Sequence, residues 1–286
     1  MRTYLECIPC FFKQAIEAGR LLTGNEIIHK ELIDDLAGLI PKFSLDSTPP
    51  EMAYHISKMV KVRFGDRDLY KQIKENSNKM ALELYPELKK KVEKSDDRLL
   101  AAVEIAIAGN VIDYGAKNSL NIDEEIEKLF RQEFYDIGKT IFQYENFRKD
   151  LNAAKQVLYL ADNAGEVVFD RVLIEEFCRE KEVIYVVRES PIINDALMKD
   201  AYDCGMDKVA KVISSGTGSP GTILKYCSKE FTEIFKNAGF IISKGQGNYE
   251  ALSNIRKEIY FLLRAKCPVI ARHAGAEVGD MVLKKG

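Results

Sequence analysis

Tyr159-Leu160-Ala161-Asp162-Asn163-Ala164-Gly165-Glu166 is an apolar run that breaks abruptly into oxygen-bearing side chains and a glycine. It reads as a buried strand that ends at a sheet edge, turns, and gives way to a helix. In open α/β sheets that edge is where ligands bind. The same grammar recurs downstream, so the stretch fixes the expected class of the whole C-terminal half. Short β-branched runs lie at Val157–Leu160, Val183–Val187, Val209–Ile213, Phe240–Ser243 and Ile259–Leu263. Helical segments at 165–180, 192–204, 221–237 and 248–255 separate most of them. Strand and helix in alternation predict a parallel sheet with right-handed crossovers. Met281–Leu283 is expected as a further edge strand.

Upstream of about residue 150 the pattern is helical throughout. Phe11, Ala15, Ala18 and Leu22 recur at spacings of four, three and four, one apolar face of a helix. Segments around 51–62, 66–84, 97–115 and 122–146 continue the pattern. Breaks are expected at Pro41, 44–50, Pro86 and 118–121. The expected architecture is α/β: an N-terminal all-helical region over 1–150 beside a Rossmann-like, mostly parallel sheet domain over 151–286.

With 286 residues, 46% of them hydrophobic and 30% charged, the chain has the makeup of a soluble globular protein. No run approaches the roughly 18 consecutive apolar residues that a membrane helix needs. The N-terminus, with Glu6 and Pro9, lacks the apolar core of a signal peptide, so the cytoplasm is the expected location. A formal charge of -2 gives no global attraction to nucleic acid or to a membrane surface. The six cysteines are expected as reduced thiols.

Four clusters follow four successive strands. Asp162-Asn163 with Glu166 comes first, then Asn194-Asp195 within Arg188–Asp195. Pro191 there suits a helix start, which would put Asn194-Asp195 in its first turns. Ser215-Gly216-Thr217 opens a glycine-rich loop after the third strand, and Lys244-Gly245-Gln246-Gly247-Asn248 follows the fourth. In a parallel sheet all four lie on one edge. Together they offer two carboxylates, an amide, backbone N–H donors and a lysine, which suits a divalent cation and a phosphate. Mg²⁺ and Mn²⁺ take oxygen ligands, glycine-rich turns before helices bind anions, and a lysine adds a point charge. Taken singly, Asp-Asn before Gly is equally a helix-capping turn, and the glycine-rich loop equally a plain connection.

The stripe Leu99, Val103 and Ala106 extends to Asn110 and Asp113, which either form an internal hydrogen-bond network or close the pocket. Cys7-Ile8-Pro9-Cys10 has no second pair at zinc-finger spacing; two packed thiols, or a metal shared with Cys267, both remain open. No G-x-S-x-G elbow is present.

These motifs resemble the DUF89 family of metal-dependent damage-control phosphatases, in particular its archaeal and bacterial branch with an N-terminal C-x-x-C. The resemblance rests on Cys7-x-x-Cys10, the 108–116 segment around Asn110 and Asp113, Asp162–Glu166, Asn194-Asp195, Ser215–Thr217 and Lys244–Glu250, in that order along nearly the whole chain. It implies a helical portion beside a Rossmann-like domain and hydrolysis of small phosphorylated metabolites with Mn²⁺, Co²⁺, Ni²⁺ or Mg²⁺. It further implies metal ligation by Asp162, Asn163 and Asp195, phosphate contact by Lys244, and a Gly-Asn-x-x-Asp motif at Asn110 and Asp113. The substrate does not carry over.

The expected mechanism is attack on phosphorus by water activated beside the cation, with Lys244 and the amides around 215–218 neutralising charge. Asp113 and Glu166 are candidates to orient or deprotonate that water, and Asp162 is an alternative nucleophile. Two other functions fit parts of the sequence: an S-adenosylmethionine methyltransferase and a non-catalytic protein binding a metal or phospho-ligand. The first strand leads into Asp-Asn-Ala-Gly-Glu rather than a dinucleotide fingerprint, which disfavours the methyltransferase.

Overall fold

The computed structural model describes residues 1–109 and 138–286, so Asn110 and Asp113 lie outside the described residues. The strands β1 (Gln156–Leu160), β2 (Glu182–Val187), β3 (Lys211–Ser214), β4 (Ile241–Lys244), β5 (Tyr260–Arg264) and β6 (Met281–Lys285) form one sheet in the order β3-β2-β1-β4-β5-β6. All pairings are parallel except β5 with β6, where Leu262 faces Leu283 across an antiparallel pair. The expected α/β class and the expected final edge strand are therefore present. Successive strands run outward from β1 to β3 on one side and from β4 to β6 on the other. The reversal at β1/β4 is a topological switch point, where the connections leave a crevice.

Side chains alternate along β1. Val157, Tyr159 and Ala161 enter one core, and Leu158 and Leu160 the other. The first core is roofed by α4 (Lys71–Glu93), α5 (Arg98–Ala108), α6 (Tyr144–Ala153) and α7 (Glu166–Ile174). The second is covered by α9 (Lys229–Asn237), α10 (Gly245–Leu252) and α11 (Pro268–Ala274). Helix α5 is buried on every side from Ala101 to Ala108, as an all-round apolar helix must be. Helices α1 (Ile8–Leu22), α2 (Glu26–Leu39) and α3 (Pro49–Phe64) hold small cores of their own around Phe11, Leu36, Met52 and Ile56. Among the described residues no helix is long and apolar enough to cross a membrane.

Four expectations need correction. Pro86 does not break a helix: α4 runs through it, with Pro86 on the exposed side and Ala81, Leu88 and Val92 buried. The proline penalty of about 3 kcal/mol is offset by that buried face. The helix expected over 192–204 begins only at Met198 (α8, Met198–Asp203), so Asn194 and Asp195 are not in a first helical turn. Their backbone pairs instead with the end of β1: Ala164 N donates to Asn194 O at 2.9 Å and Ala196 N to Asp162 O at 2.9 Å. Tertiary pairing satisfies those groups better than a helix start, and Ile193 takes a positive φ of 45° to allow it. The third strand shifts to Lys211–Ser214, because Val209 and Ala210 both donate back to Met206 O in a preceding turn. Of the segment 221–237, only Lys229 onward forms an α-helix, capped by the Ser228 hydroxyl, which accepts from Phe231 N.

Candidate active site at the sheet switch point

Asp162 and Asn163 follow β1, and an isolated antiparallel bridge joins Asn163 to Asp195. Two loops that are more than thirty residues apart in sequence are thereby clamped together at the crevice. Asn163 Nδ2 donates to Asp162 Oδ2 at 3.2 Å and to Glu166 Oε1 at 2.9 Å. Both donations fix the amide orientation and make Oδ1 the atom that would serve a cation. Gly245, the first residue of α10, has φ 78°, and a Cβ there would overlap the Asp162 carboxylate. The glycine is required both by its left-handed backbone and by this close approach.

Arg188, at the end of β2, is wholly buried and spans the site. Its Nε donates to Asp195 Oδ2 at 2.7 Å, Nη1 to Thr222 Oγ1 at 3.1 Å and Nη2 to Asn248 Oδ1 at 3.1 Å. Asn248 in turn donates to the carbonyls of Ala161 and Lys244. One guanidinium thus ties together the loops after β1, β2, β3 and β4, the rigid support a precise constellation needs.

Lys244 is placed behind this layer. Its Nζ donates to Asp170 Oδ1 at 2.7 Å and to Glu166 Oε2 at 3.1 Å, and it is 1% exposed. Tyr159 and Tyr185 donate their hydroxyls to the two oxygens of Asp170. Burial alone would lower the Lys244 pKa, but the charges of Asp170 and Glu166 outweigh it and hold the ammonium above its ordinary range. Burial pushes the Asp170 carboxyl up, and burial with the adjacent Asp170 charge pushes both tyrosine hydroxyls far up, keeping them as donors.

Asp162, Asn163, Asn194 and Asp195 line a cleft of about 460 Å³ together with Gly221, Gln246 and Gly247. Lys244, Glu166, Ser215, Gly216 and Thr217 do not line it. Ser215 and Thr217 are buried, and Gly216 packs against Ser228. The glycine-rich loop reaches the cleft through Pro220 and Gly221 instead.

The charge balance tests whether a cation fits. Asp162, Glu166, Asp170 and Asp195 are buried carboxylates, and Arg188 and Lys244 are the buried cations facing them. In their ionised forms the carboxylates exceed the cations by two charges. Burial, then Glu166 and Asp195, push the Asp162 carboxyl well above its usual range. Among the described residues no three His, Cys, Asp or Glu side chains gather as a metal site. The set here is two carboxylates and an amide, an all-oxygen set that suits a hard divalent cation rather than a thiolate or imidazole metal.

Sequence reasoning missed Asp170, and gave Arg188, Thr222 and Asn248 no role although they fall within or beside the quoted clusters. An arginine directly after five apolar strand residues was the available signal for Arg188, because a charge at that depth needs buried partners. Asp170 sits one helical turn after Glu166, on the same face.

The model of the damage-control phosphatase ARMT1-like domain matches residues 3–282. A damage-control phosphatase of Pyrococcus horikoshii is 36% identical, covering 99% of this chain and 97% of the relative. One from Archaeoglobus fulgidus is 35% identical, covering 97% of each. An uncharacterized protein of Methanocaldococcus jannaschii is 37% identical over 98% of this chain and 94% of its own length. The crystal structure of a DUF89 family protein from P. horikoshii superposes with a TM-score of 0.88 at 33% identity, covering 100% of this chain and 99% of that one. A family match over almost every residue, on a fold shared end to end, makes this chain a member of the damage-control phosphatase ARMT1-like (DUF89) family.

Proposed function

We propose that this chain, a damage-control phosphatase by family, hydrolyses small phosphomonoesters of phosphorylated metabolites with a divalent cation held by Asp162, Asn163 and Asp195. Mn²⁺, Co²⁺, Ni²⁺ and Mg²⁺ are the candidates. The observation that carries the proposal is the meeting of those three oxygen donors at the β1/β4 switch point, inside a cluster where buried carboxyl groups outnumber buried cationic side chains. When bound, such a cation would supply Lewis-acid polarisation of the phosphoryl oxygens and acidification of a water.

The chain's own groups do the positioning. Arg188 holds one oxygen of Asp195, and Glu166 orients Asn163 while Lys244 fixes Glu166. Lys244 therefore acts in this proposal as a positioning residue. Gly221 and Gly247 bring backbone to the cleft where a phosphoryl group would lie. Water attacks phosphorus as the bond to the ester oxygen breaks, giving inorganic phosphate and an alcohol. Water is preferred to Asp162 as the nucleophile, since Asp162 Oδ2 already accepts from Asn163 Nδ2.

Asp162→Ala and Asp195→Ala test the assignment. Each should leave a folded protein by circular dichroism with no metal-restored turnover of p-nitrophenyl phosphate. Full activity in either variant would remove the ligand assignment.

A further inference from the structure

We propose that Asn78 of α4, a residue outside the cleft, is a positioning residue for the cation ligands, an inference that rests on their assignment to Asp162, Asn163 and Asp195. Its side-chain amide is buried and used on both sides. Oδ1 accepts from Gly165 N at 2.7 Å, and Nδ2 donates to Asp200 Oδ1 at 2.8 Å. The other oxygen of Asp200 accepts from Leu197 N at 2.9 Å. Gly165 and Leu197 are the residues immediately before α7 and α8, so one pair of side chains takes the backbone N–H at the head of each helix.

Those two helix heads stand close to the ligands in sequence. Gly165 follows Asn163 by two residues, and Leu197 follows Asp195 by two. The two segments are already joined directly, by Ala164 N to Asn194 O and Ala196 N to Asp162 O. Asn78 and Asp200 fasten them a second time, further along each segment, and tie both to α4. Segments fastened at two places cannot pivot about either one. The distance held in this way is the one between Asp162-Asn163 and Asp195, on which a shared cation depends.

Lys74, one helical turn before Asn78, anchors the far end. Its Nζ lies 2.7 Å from Asp68 Oδ2 and 3.7 Å from Asp200 Oδ2, and Lys74 and Asp200 are buried. None of Lys74, Asn78 and Asp200 lines the cleft, so none is placed to touch a substrate. The position of Asn78 calls for an acceptor facing an N–H and a donor facing a carboxylate, and asparagine offers both within one short planar group. Leucine fills a similar volume and offers neither.

The test is Mn²⁺ binding by isothermal titration of the full chain, beside turnover of p-nitrophenyl phosphate and urea midpoints. Wild type is compared with Asn78→Leu and with the double variant Asn78→Asp plus Asp200→Asn. The double variant exchanges amide and acid: position 78 then accepts from Gly165 N and from the amide at 200, which keeps its oxygen for Leu197 N. Asn78→Leu should bind Mn²⁺ about 10–100-fold more weakly while still folded, and the double variant should recover to within about threefold of wild type. Wild-type affinity in Asn78→Leu would overturn the inference, as would a loss that the exchange does not recover. Should Asn78→Leu fail to fold, Asp200→Asn is read in its place, because an amide at 200 has one oxygen for two donors; unweakened Mn²⁺ binding there would equally overturn the inference. Tight Mn²⁺ binding by a wild type that turns over no ester would sink the phosphatase reading and leave the binding comparison to decide this one. No Mn²⁺ binding by the wild type would remove the ligand assignment and this inference with it.

Discussion

The Nε of Arg188 donates to Asp195 Oδ2 at 2.7 Å, and both side chains are buried at the junction of four loops. The remaining guanidinium nitrogens reach Thr222 and Asn248, so all three nitrogens are used. A buried guanidinium with its plane filled in this way fixes direction as well as charge. It makes Asp195 a rigid ligand rather than a mobile acidic side chain.

Arg188→Ala should therefore be among the most damaging substitutions in the chain. It removes the buried guanidinium from Asp195 Oδ2 and one of the two donors to Asn248 Oδ1, which keeps Thr222 Oγ1. Breaking a buried pair from one side costs about 3–5 kcal/mol. Urea unfolding should report a loss of that order; a change below about 1 kcal/mol would contradict the network's role.

Gly245→Ala should act locally on Asp162. The added methyl overlaps the carboxylate, and φ 78° disfavours any L side chain. Metal-dependent turnover should fall at least about tenfold with a stability cost on the order of 1–3 kcal/mol. Wild-type kinetics in this variant would show that Asp162 has room to move and is not held as a ligand.

Lys244→Met separates a positioning role from direct phosphate contact. Glu166 and Asp170 would lose their shared cation, and stability should fall by about 3–5 kcal/mol alongside activity. Asp170→Asn in the same chain should recover part of the stability, because it removes one of the stranded charges. A single variant of wild-type stability that has lost about a hundredfold in rate would instead return Lys244 to the phosphate.

Glu250 gives a pH dependence of defined sign. Burial raises its carboxyl from 4.5 to about 7, against the opposing effects of Gln246 and the N-terminal amine. The folded chain then holds a proton that the unfolded chain has released across that window. Stability should fall as pH rises from about 4.5 to about 7 and level off above it. Glu250 keeps partial solvent contact, so a loss of about 1–3 kcal/mol is expected rather than the full value of the shift. Glu250→Gln should abolish the slope and be the more stable protein at pH 8, as read from urea midpoints between pH 5 and 8.

The strands were legible because each is an apolar run punctuated by glycine, proline or acid, and a parallel sheet buries both faces of such runs. Asp162, Asn163 and Asp195 were legible as polar residues at strand ends. The route of 191–197 was not, because Pro191 is an equally good helix start until the backbone of Asp162–Ala164 arrives to pair with it. The depth of Lys244 was hidden for a similar reason. Its partners Glu166 and Asp170 are more than seventy residues away, and only the β1–β4 pairing brings them together. Ser215–Thr217 has the composition of a phosphate loop, yet its close packing against Ser228 leaves the cleft to Gly221.

Hydrolysis is expected to depend on a cation held at Asp162, Asn163 and Asp195. The most direct measurement is phosphate release from p-nitrophenyl phosphate by chelator-stripped protein, with Mn²⁺, Co²⁺, Ni²⁺ and Mg²⁺ added back one at a time. Negligible release by the stripped protein and recovery with at least one of these ions are expected. Undiminished release after complete stripping, with no response to any of them, would contradict that dependence.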